Sequence, residues 1–323
     1  MDLIRTPPAR CPRLRPRQLA PSAAAPPASV SWAALPCHLP AYAAAPSPHQ
    51  RDRRPRRGLR LRNAGSEGEA ALAGRRRPRF LCLHGFRTSA EILRKQVVGR
   101  WPADVTARLD LVFADAPFPA EGKSDVDGIF DPPYYEWFQF AGEISGGQDP
   151  IKCRNLDRCF SYVEELMIRQ GPFDGLLGFS QGAVVSAVLA GLQEQTRLCV
   201  FRQGLAFTGV AKVKCVIVIS GGKIQAPVAA ARAFNSKIMC PSLHFIVCGD
   251  DDFVKVHSEE LVEAFADPLV IRHPCGHTIP NLDEKGLQTM LTFLDKIERG
   301  IWEHSSTDTK IMVSNSEAQI SEV

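Results

Sequence analysis

Gly178-Phe179-Ser180-Gln181-Gly182 sets a serine between two glycines, each two residues away. Alone the pattern is weak, because Gly and Ser are common enough to produce it by chance. Its flanks give it weight: Asp174-Gly175-Leu176-Leu177 reads as a strand, and Ala183-Val184-Val185-Ser186-Ala187-Val188-Leu189 reads as a helix. A chain that turns from strand to helix at one residue strains that residue's backbone, and the two elements can approach only where bulk is missing, hence the glycines. The plainer alternative is an ordinary strand-to-helix turn with a serine at the helix start. A hydroxyl at neutral pH needs an imidazole to take its proton, and an acid to hold that imidazole in the right tautomer. Both follow later in the chain.

Gly249-Asp250-Asp251-Asp252 closes one apolar run, and His273-Pro274-Cys275-Gly276-His277 follows the next. Loops at the carboxyl ends of neighbouring parallel strands converge on one crevice. Asp252 is the expected acid, since a Gly-Asp-x-Asp loop usually turns its last carboxylate toward the histidine, and Asp250 is the alternative. His277 lies in a Gly-rich turn between a strand and a helix, the place for a base, whereas His273 and His257 fit a structural role better. The order Ser, Asp, His is that of α/β-hydrolases. A tetrahedral intermediate also needs two N–H donors aimed at its oxygen. The expected ones are the backbone of Gln181, at the start of the helix after the serine, and that of Phe86, in Leu83-His84-Gly85-Phe86 after the first core strand. His84 itself reads as a turn residue.

The elements that must position these groups alternate short β-branched runs with longer helical patterns. Strands are expected at Arg79–Leu83, Asp110–Phe113, Gly175–Phe179, Val213–Ser220, Leu243–Cys248 and Leu269–Arg272. Helices are expected at Ala90–Val98, Ile151–Gln170, Gln181–Gln195, Ser258–Phe265 and Asp283–Ile297. Six strands so spaced predict an α/β fold with an open, mainly parallel, doubly wound sheet and helices on both faces. Between the second strand and the long helix, Phe130 to Phe140 packs six aromatics into eleven residues, broken by Pro132 and Pro133. One reading is a loop folded over the crevice, with Tyr134, Tyr135, Trp137 and Phe138 forming an apolar substrate pocket. The other is a hydrophobic cluster that pins a long loop.

The chain has 323 residues and a formal net charge of +4, which the distribution reverses. Up to Arg79 there are 16 arginines, no lysine and four acids, so the remaining 244 residues carry 23 bases against 31 acids. An acidic core argues against nucleic acid as a partner. The first 78 residues read as a disordered Arg/Pro/Ala-rich leader, residues 79–299 as the folded domain, and residues 300–323 as a flexible tail. The leader's arginine bias resembles a chloroplast or mitochondrial transit peptide, though an untranslated leader fits as well. The ten cysteines include no CxxC spacing, and Cys82, Cys215 and Cys248 lie in apolar runs, so free thiols in a reducing compartment are expected rather than a disulfide scaffold. No apolar run reaches the length of a membrane span.

Leu83-His84-Gly85-Phe86, Asp115-Ala116-Pro117, Gly178-Phe179-Ser180-Gln181-Gly182-Ala183, Gly249-Asp250-Asp251-Asp252 and Gly276-His277-Thr278-Ile279-Pro280 together resemble the FSH group of serine hydrolases over about Arg79 to Ile297. The resemblance implies the α/β-hydrolase fold, with Ser180, Asp252 and His277 as nucleophile, acid and base. It also implies hydrolysis of small to medium carboxylic esters, no cofactor or metal, and residence in cytoplasm and nucleus. A non-catalytic ligand-binding protein of the same shape, and a thioesterase with the same triad, are the other readings. Nothing in the sequence speaks to oligomeric state.

Overall fold

The computed structural model describes residues 76–141, 152–196, 209–223, 232–248 and 254–301. Strand β1 (Arg79–Leu83) leads through a turn to α1 (Ala90–Arg100), the short α2 (Ala103–Thr106) and β2 (Asp110–Ala114). Two small antiparallel pairs follow, β3 (Phe118–Pro119) with β4 (Tyr135–Glu136), and β5 (Gln139–Ala141) with β6 (Lys152–Arg154). After α3 (Leu156–Gln170) come β7 (Gly175–Phe179), α4 (Gln181–Thr196), β8 (Cys215–Ile219), β9 (Ser242–Val247), α5 (Val254–Glu263) and β10 (Pro268–His273). A last helix, α6, covers residues 284–301. None of the helices among the described residues is long and apolar enough to cross a membrane.

The main sheet has six strands in the order β10-β9-β8-β7-β1-β2, and every pairing is parallel. Both faces are covered, so the central strands are apolar without interruption: β7, β8 and β9 are buried along their whole length. Side chains still alternate between two cores. Leu81 and Leu83 of β1 join Leu176, Val216 and Val218 against α3, α4 and Leu261 of α5. Phe80 and Cys82 join Leu177, Ile217 and Phe245 against Leu93 and Val97 of α1 and Met290, Phe293 and Leu294 of α6. Each such side chain contributes about 1.5–3 kcal/mol when fully buried, and this layering is what makes the sheet rigid enough to carry a site at its edge.

All six expected strands form, with small shifts of boundary. The long helix is shorter at its start than its periodicity suggested: Lys152–Arg154 pairs as β6, and Asn155, held at φ 62°, breaks the chain direction before Leu156. Helix α5 begins at Val254 rather than Ser258. At the amino ends of the central strands the buried Asp174 accepts from the backbone N–H of Arg79 at 3.0 Å, and pairs with Arg76 and with Lys214 at 3.3 Å. The described cysteines are all free thiols.

The chain runs from β1 outward to β2, then returns to β7 on the other side of β1 and continues outward to β8, β9 and β10. The reversal of direction falls between β1 and β7. In an open sheet, a crevice forms at the carboxyl ends of the two strands where the order switches. Ser180 directly follows β7, and the His84–Phe86 turn directly follows β1.

Candidate active site

Ser180 is held at φ 52°, in the left-handed region that a non-glycine residue enters only under constraint. Its N–H donates to Ile219 O at 2.9 Å, and its carbonyl accepts from Ala183 and Val184 at 3.0 and 3.1 Å, closing the first turn of α4. The flanking glycines are required by close approach. A Cβ on Gly178 would collide with the backbone of Gly182 and Ala183, and one on Gly182 with the backbone of Leu83 and His84. The turn is therefore wedged between α4 and β1 with no room for side chains.

His277 Nε2 lies 2.9 Å from Ser180 Oγ. A serine O–H that donates to Nε2 requires the imidazole proton on Nδ1, which is the tautomer a general base needs. The ring is fixed from several sides. Phe179 packs against it at 5.3 Å between centroids, and Gly276 takes φ 67° so that Thr278 N–H can close on Gly276 O at 2.9 Å. Arg100, at the end of α1, donates to Thr278 Oγ1 at 2.8 Å and also to Ile279 O. Asp252 and its alternative Asp250 lie outside the described residues. The described residues before them end at Cys248, whose N–H donates to His273 O at 2.8 Å.

The turn after β1 is built around His84, which is fully buried. Its Nε2 accepts from Ala116 N–H at 3.0 Å, which puts the ring proton on Nδ1, and Nδ1 donates to Gly85 O at 2.7 Å. Thr88 Oγ1 donates to the same carbonyl at 2.9 Å. Burial lowers the His84 pKa to about 4 against the small opposing effects of Gly85 O and Asp115, so the ring is neutral at physiological pH. In a trans peptide the N–H points opposite to the C=O. The Gly85 carbonyl is turned to His84 and Thr88, so the N–H of Phe86 faces the other way. Gly85 itself must be small, since a Cβ there would stand 2.9 Å from Phe179 Cδ1 and 3.5 Å from Ser180 Cβ.

Gln181 contributes on two levels. In the first turn of α4, Gly182 N–H donates to His84 O at 3.1 Å, and Ala183 and Val184 donate to Ser180 O. The Gln181 N–H has no such acceptor among the described residues, as expected for the orphan donors of a helix start. The Gln181 side chain reaches the other way: Oε1 accepts from Trp137 N–H at 2.8 Å, and Nε2 donates to Phe138 O at 2.7 Å.

The aromatic segment is thereby placed beneath the site. Trp137 and Phe138 are 0% and 1% exposed and belong to the core, and Trp137 Nε1 donates to His84 O at 2.9 Å. Tyr135 is tied through its N–H to Thr88 O at 2.7 Å, and Tyr134 Oη donates to Phe130 O at 2.5 Å. None of the four lines the pocket beside Ser180, which holds about 50 Å³ and is walled by Phe86, Thr88, Asp125, Val126 and Phe179 together with His277. Trp137 and Phe138 are thus core residues, while the half-buried Tyr134 and Tyr135 stand outside the described wall of this pocket. The segment alternates in short strands, which turns its bulkiest rings inward as a hydrophobic cluster that pins the loop.

Several residues around the site have no motif of their own. Glu136 is 1% exposed, and its Oε1 accepts from Arg87 Nε at 2.8 Å and from Glu121 N–H at 3.1 Å. Arg87, at φ 52°, directly follows Phe86. A lone carboxylate inside an aromatic run has to be paired if it is buried, and that is the one signal that could have pointed to it. Among the described residues no three His, Cys, Asp or Glu side chains cluster to hold a metal ion.

A family model for serine hydrolases of the FSH1 type matches residues 74–288, about two thirds of the chain. The chain belongs to the FSH1 serine hydrolase family. Esterase OVCA2 of Homo sapiens is 31% identical to this FSH1 hydrolase over 245 residues, covering 70% of the present chain and 99% of that protein. An esterase of Anopheles gambiae, AGAP003155, is 29% identical over 214 residues, covering 64% and 74% of the two chains. Among solved structures, acyl-protein thioesterase 2 of Zea mays aligns over 70% of the FSH1 hydrolase and 95% of that chain, at 18% identity and a TM-score of 0.45. The family and the parallel sheet with its strained serine turn make this a hydrolase of the α/β-hydrolase fold.

Proposed function

We propose that this FSH1 hydrolase is a carboxylesterase that works through an acyl-enzyme. Ser180 Oγ attacks the ester carbonyl while His277 Nε2 accepts its proton. The tetrahedral intermediate collapses as His277 returns that proton to the departing alcohol. Water, deprotonated by the same imidazole, then releases the acid and regenerates Ser180. The N–H groups of Phe86 and Gln181 receive the charge on the carbonyl oxygen, where each such donor is worth about 10² to 10³ in rate. Asp252 holds the proton-bearing Nδ1 of His277. The pocket beside Ser180, with Phe86, Val126 and Phe179 in its wall, receives the acyl group, which we read as small to medium.

The observation that carries this reading is the 2.9 Å contact between His277 Nε2 and the Oγ of a serine held at φ 52°. A binding protein that kept only the shape would not need to hold both groups at hydrogen-bond distance against backbone strain. The test is labelling of the full chain with a fluorophosphonate probe, together with turnover of p-nitrophenyl esters of graded acyl length. Labelling should map to Ser180 and vanish in Ser180→Ala. Asp252→Asn should lower turnover by about 10⁴, through the wrong tautomer. A Ser180→Ala protein that hydrolyses like the parent ends the proposal, and a loss of that size in Asp250→Asn instead moves the acid. Matched oxygen esters and thioesters on the same protein decide which leaving group it prefers.

A further inference from the structure

Asp125 brings a carboxylate to the wall of the pocket that holds Ser180 and His277, and it is the only acidic side chain among the described lining residues. It is carried on a strap that the structure builds with care. Ser124, which is buried, donates through Oγ to Arg87 O at 2.6 Å and accepts from Val126 N–H at 3.2 Å, so Asp125 is bracketed on both sides by one hydroxyl. Asp127 N–H donates to Ser124 O at 3.2 Å, and Ile129 and Phe130 both donate to Val126 O at 3.0 Å, which closes the strap as a tight turn. Arg87 Nη1 donates to Lys123 O at 3.1 Å and anchors the other end.

The charges around Asp125 are those of Arg87, Lys123 and, when protonated, His277. Arg87 is already committed to the buried Glu136 at 2.8 Å and lies over the Phe86 ring at 4.6 Å. Lys123 is exposed and is not part of the pocket wall. Within the pocket wall the one group that can oppose the negative charge of Asp125 is therefore His277, when protonated. Asp125 is itself exposed to solvent, so the pocket desolvates its carboxylate only in part; that raises its pKa from the ordinary carboxylate value, with Arg87, His277 and Lys123 opposing.

We propose that Asp125 selects substrates by charge, favouring esters with a cationic group near the scissile carbonyl and disfavouring anionic ones. The inference rests on the esterase reading above and names the substrate class of that same site. A cation within the pocket mouth would lie several ångströms from the carboxylate. At an effective dielectric intermediate between surface and bulk, that is worth about fivefold in kcat/KM.

Acetylcholine and its neutral carbon isostere 3,3-dimethylbutyl acetate differ in charge and hardly in shape, and a monosuccinate ester supplies the anionic case. In the native full chain at low ionic strength, the choline ester should exceed the isostere by about fivefold. The monosuccinate should fall below it. The cationic advantage should shrink toward unity in about 0.5 M salt, which screens charges beyond a few ångströms. In Asp125→Asn the ratio of the two esters should approach one, and in Asp125→Lys it should invert. An unchanged ratio in both variants, or a salt-independent ratio in the native chain, overturns the proposal. Fluorophosphonate labelling of the native chain separates the two failures: no labelling at Ser180 removes the esterase reading, whereas labelling with a flat charge profile removes the role of Asp125 alone.

Discussion

His84 offers a test of how the Phe86 amide, the proposed oxyanion donor, is aimed, because its two ring nitrogens do different work. Nε2 accepts from Ala116 N–H at 3.0 Å, and Nδ1 donates to Gly85 O at 2.7 Å. The amide nitrogen of an asparagine stands roughly where Nδ1 stands, and the amide oxygen of a glutamine reaches roughly where Nε2 stands. His84→Asn therefore keeps the Gly85 bond and strands Ala116 N–H. His84→Gln keeps the Ala116 bond and leaves the Gly85 carbonyl to Thr88 alone. Each change underpairs one buried backbone group, so each should cost about 1–3 kcal/mol of stability. Their effects on rate should differ. With one of its two restraints gone, the Gly85–Phe86 peptide is freed by about one hydrogen bond, or roughly 1 kcal/mol, part of the 10² to 10³ that a lost oxyanion donor costs. His84→Gln should thus lower kcat by about tenfold with KM little altered, and His84→Asn should stay within about twofold of the native rate. Urea denaturation and kcat and KM on p-nitrophenyl acetate give both readouts. Equal kcat losses in the two variants, or none in His84→Gln, would refute the idea that this imidazole aims the Phe86 N–H.

Two further outcomes follow from packing and burial. Gly178→Ala and Gly182→Ala each drive a Cβ into backbone, which cannot swing aside, so thermal melts should show a loss of at least 1–3 kcal/mol along with activity. Gly85→Ala meets the Phe179 ring instead. It should melt nearer the native temperature yet lose turnover, because Phe179 packs on His277. Stability should also depend on pH through two buried neutral histidines. Desolvation lowers His84 from 6.5 to about 4 and His244 to about 3. The unfolded chain takes up these protons as the pH falls below about 6.5 while the folded chain does not. Their contribution is thus complete above about 6.5 and is lost progressively toward pH 4, at roughly 1.4 kcal/mol per pH unit for each histidine. Urea midpoints at pH 7, 5.5 and 4.5 measure that slope, and a flat profile would contradict the burial argument.

What the sequence disclosed of this site is what short-range geometry dictates. The strained serine turn needs small neighbours at two fixed offsets, so Gly178 and Gly182 announced it, and the crowding around both is as tight as the motif demands. The parallel strands were legible because burial on both faces leaves an uninterrupted apolar run, and their chain order alone put His277 on a loop beside Ser180. Boundaries slipped where a backbone bond outbid periodicity, as at Asn155, where a left-handed residue and the β5–β6 pair displaced the first turn of helix.

The walls of the site were not legible in the same way, because each depends on a partner far along the chain. Gln181 clamps Trp137 and Phe138 across more than 40 residues, Arg87 meets Glu136 across 49, and His84 reaches Ala116 across 32. Composition marked the aromatic run as unusual but not which way its rings would turn. That direction is decided by pairing with Thr88 and Gln181, which no local pattern records. The same long-range stitching makes the turn after β1, which carries the proposed oxyanion donor, stiffer than a loop of its length would be. Three segments share the peptide planes next to Ser180, and moving one means breaking bonds in the other two. A preorganised donor stabilises charge without reorganising at the moment of reaction. Glu136 and the Gln181 side chain, on which sequence motifs are silent, and His84, which its motif marks only as a turn residue, are the ones whose contacts hold that turn in place.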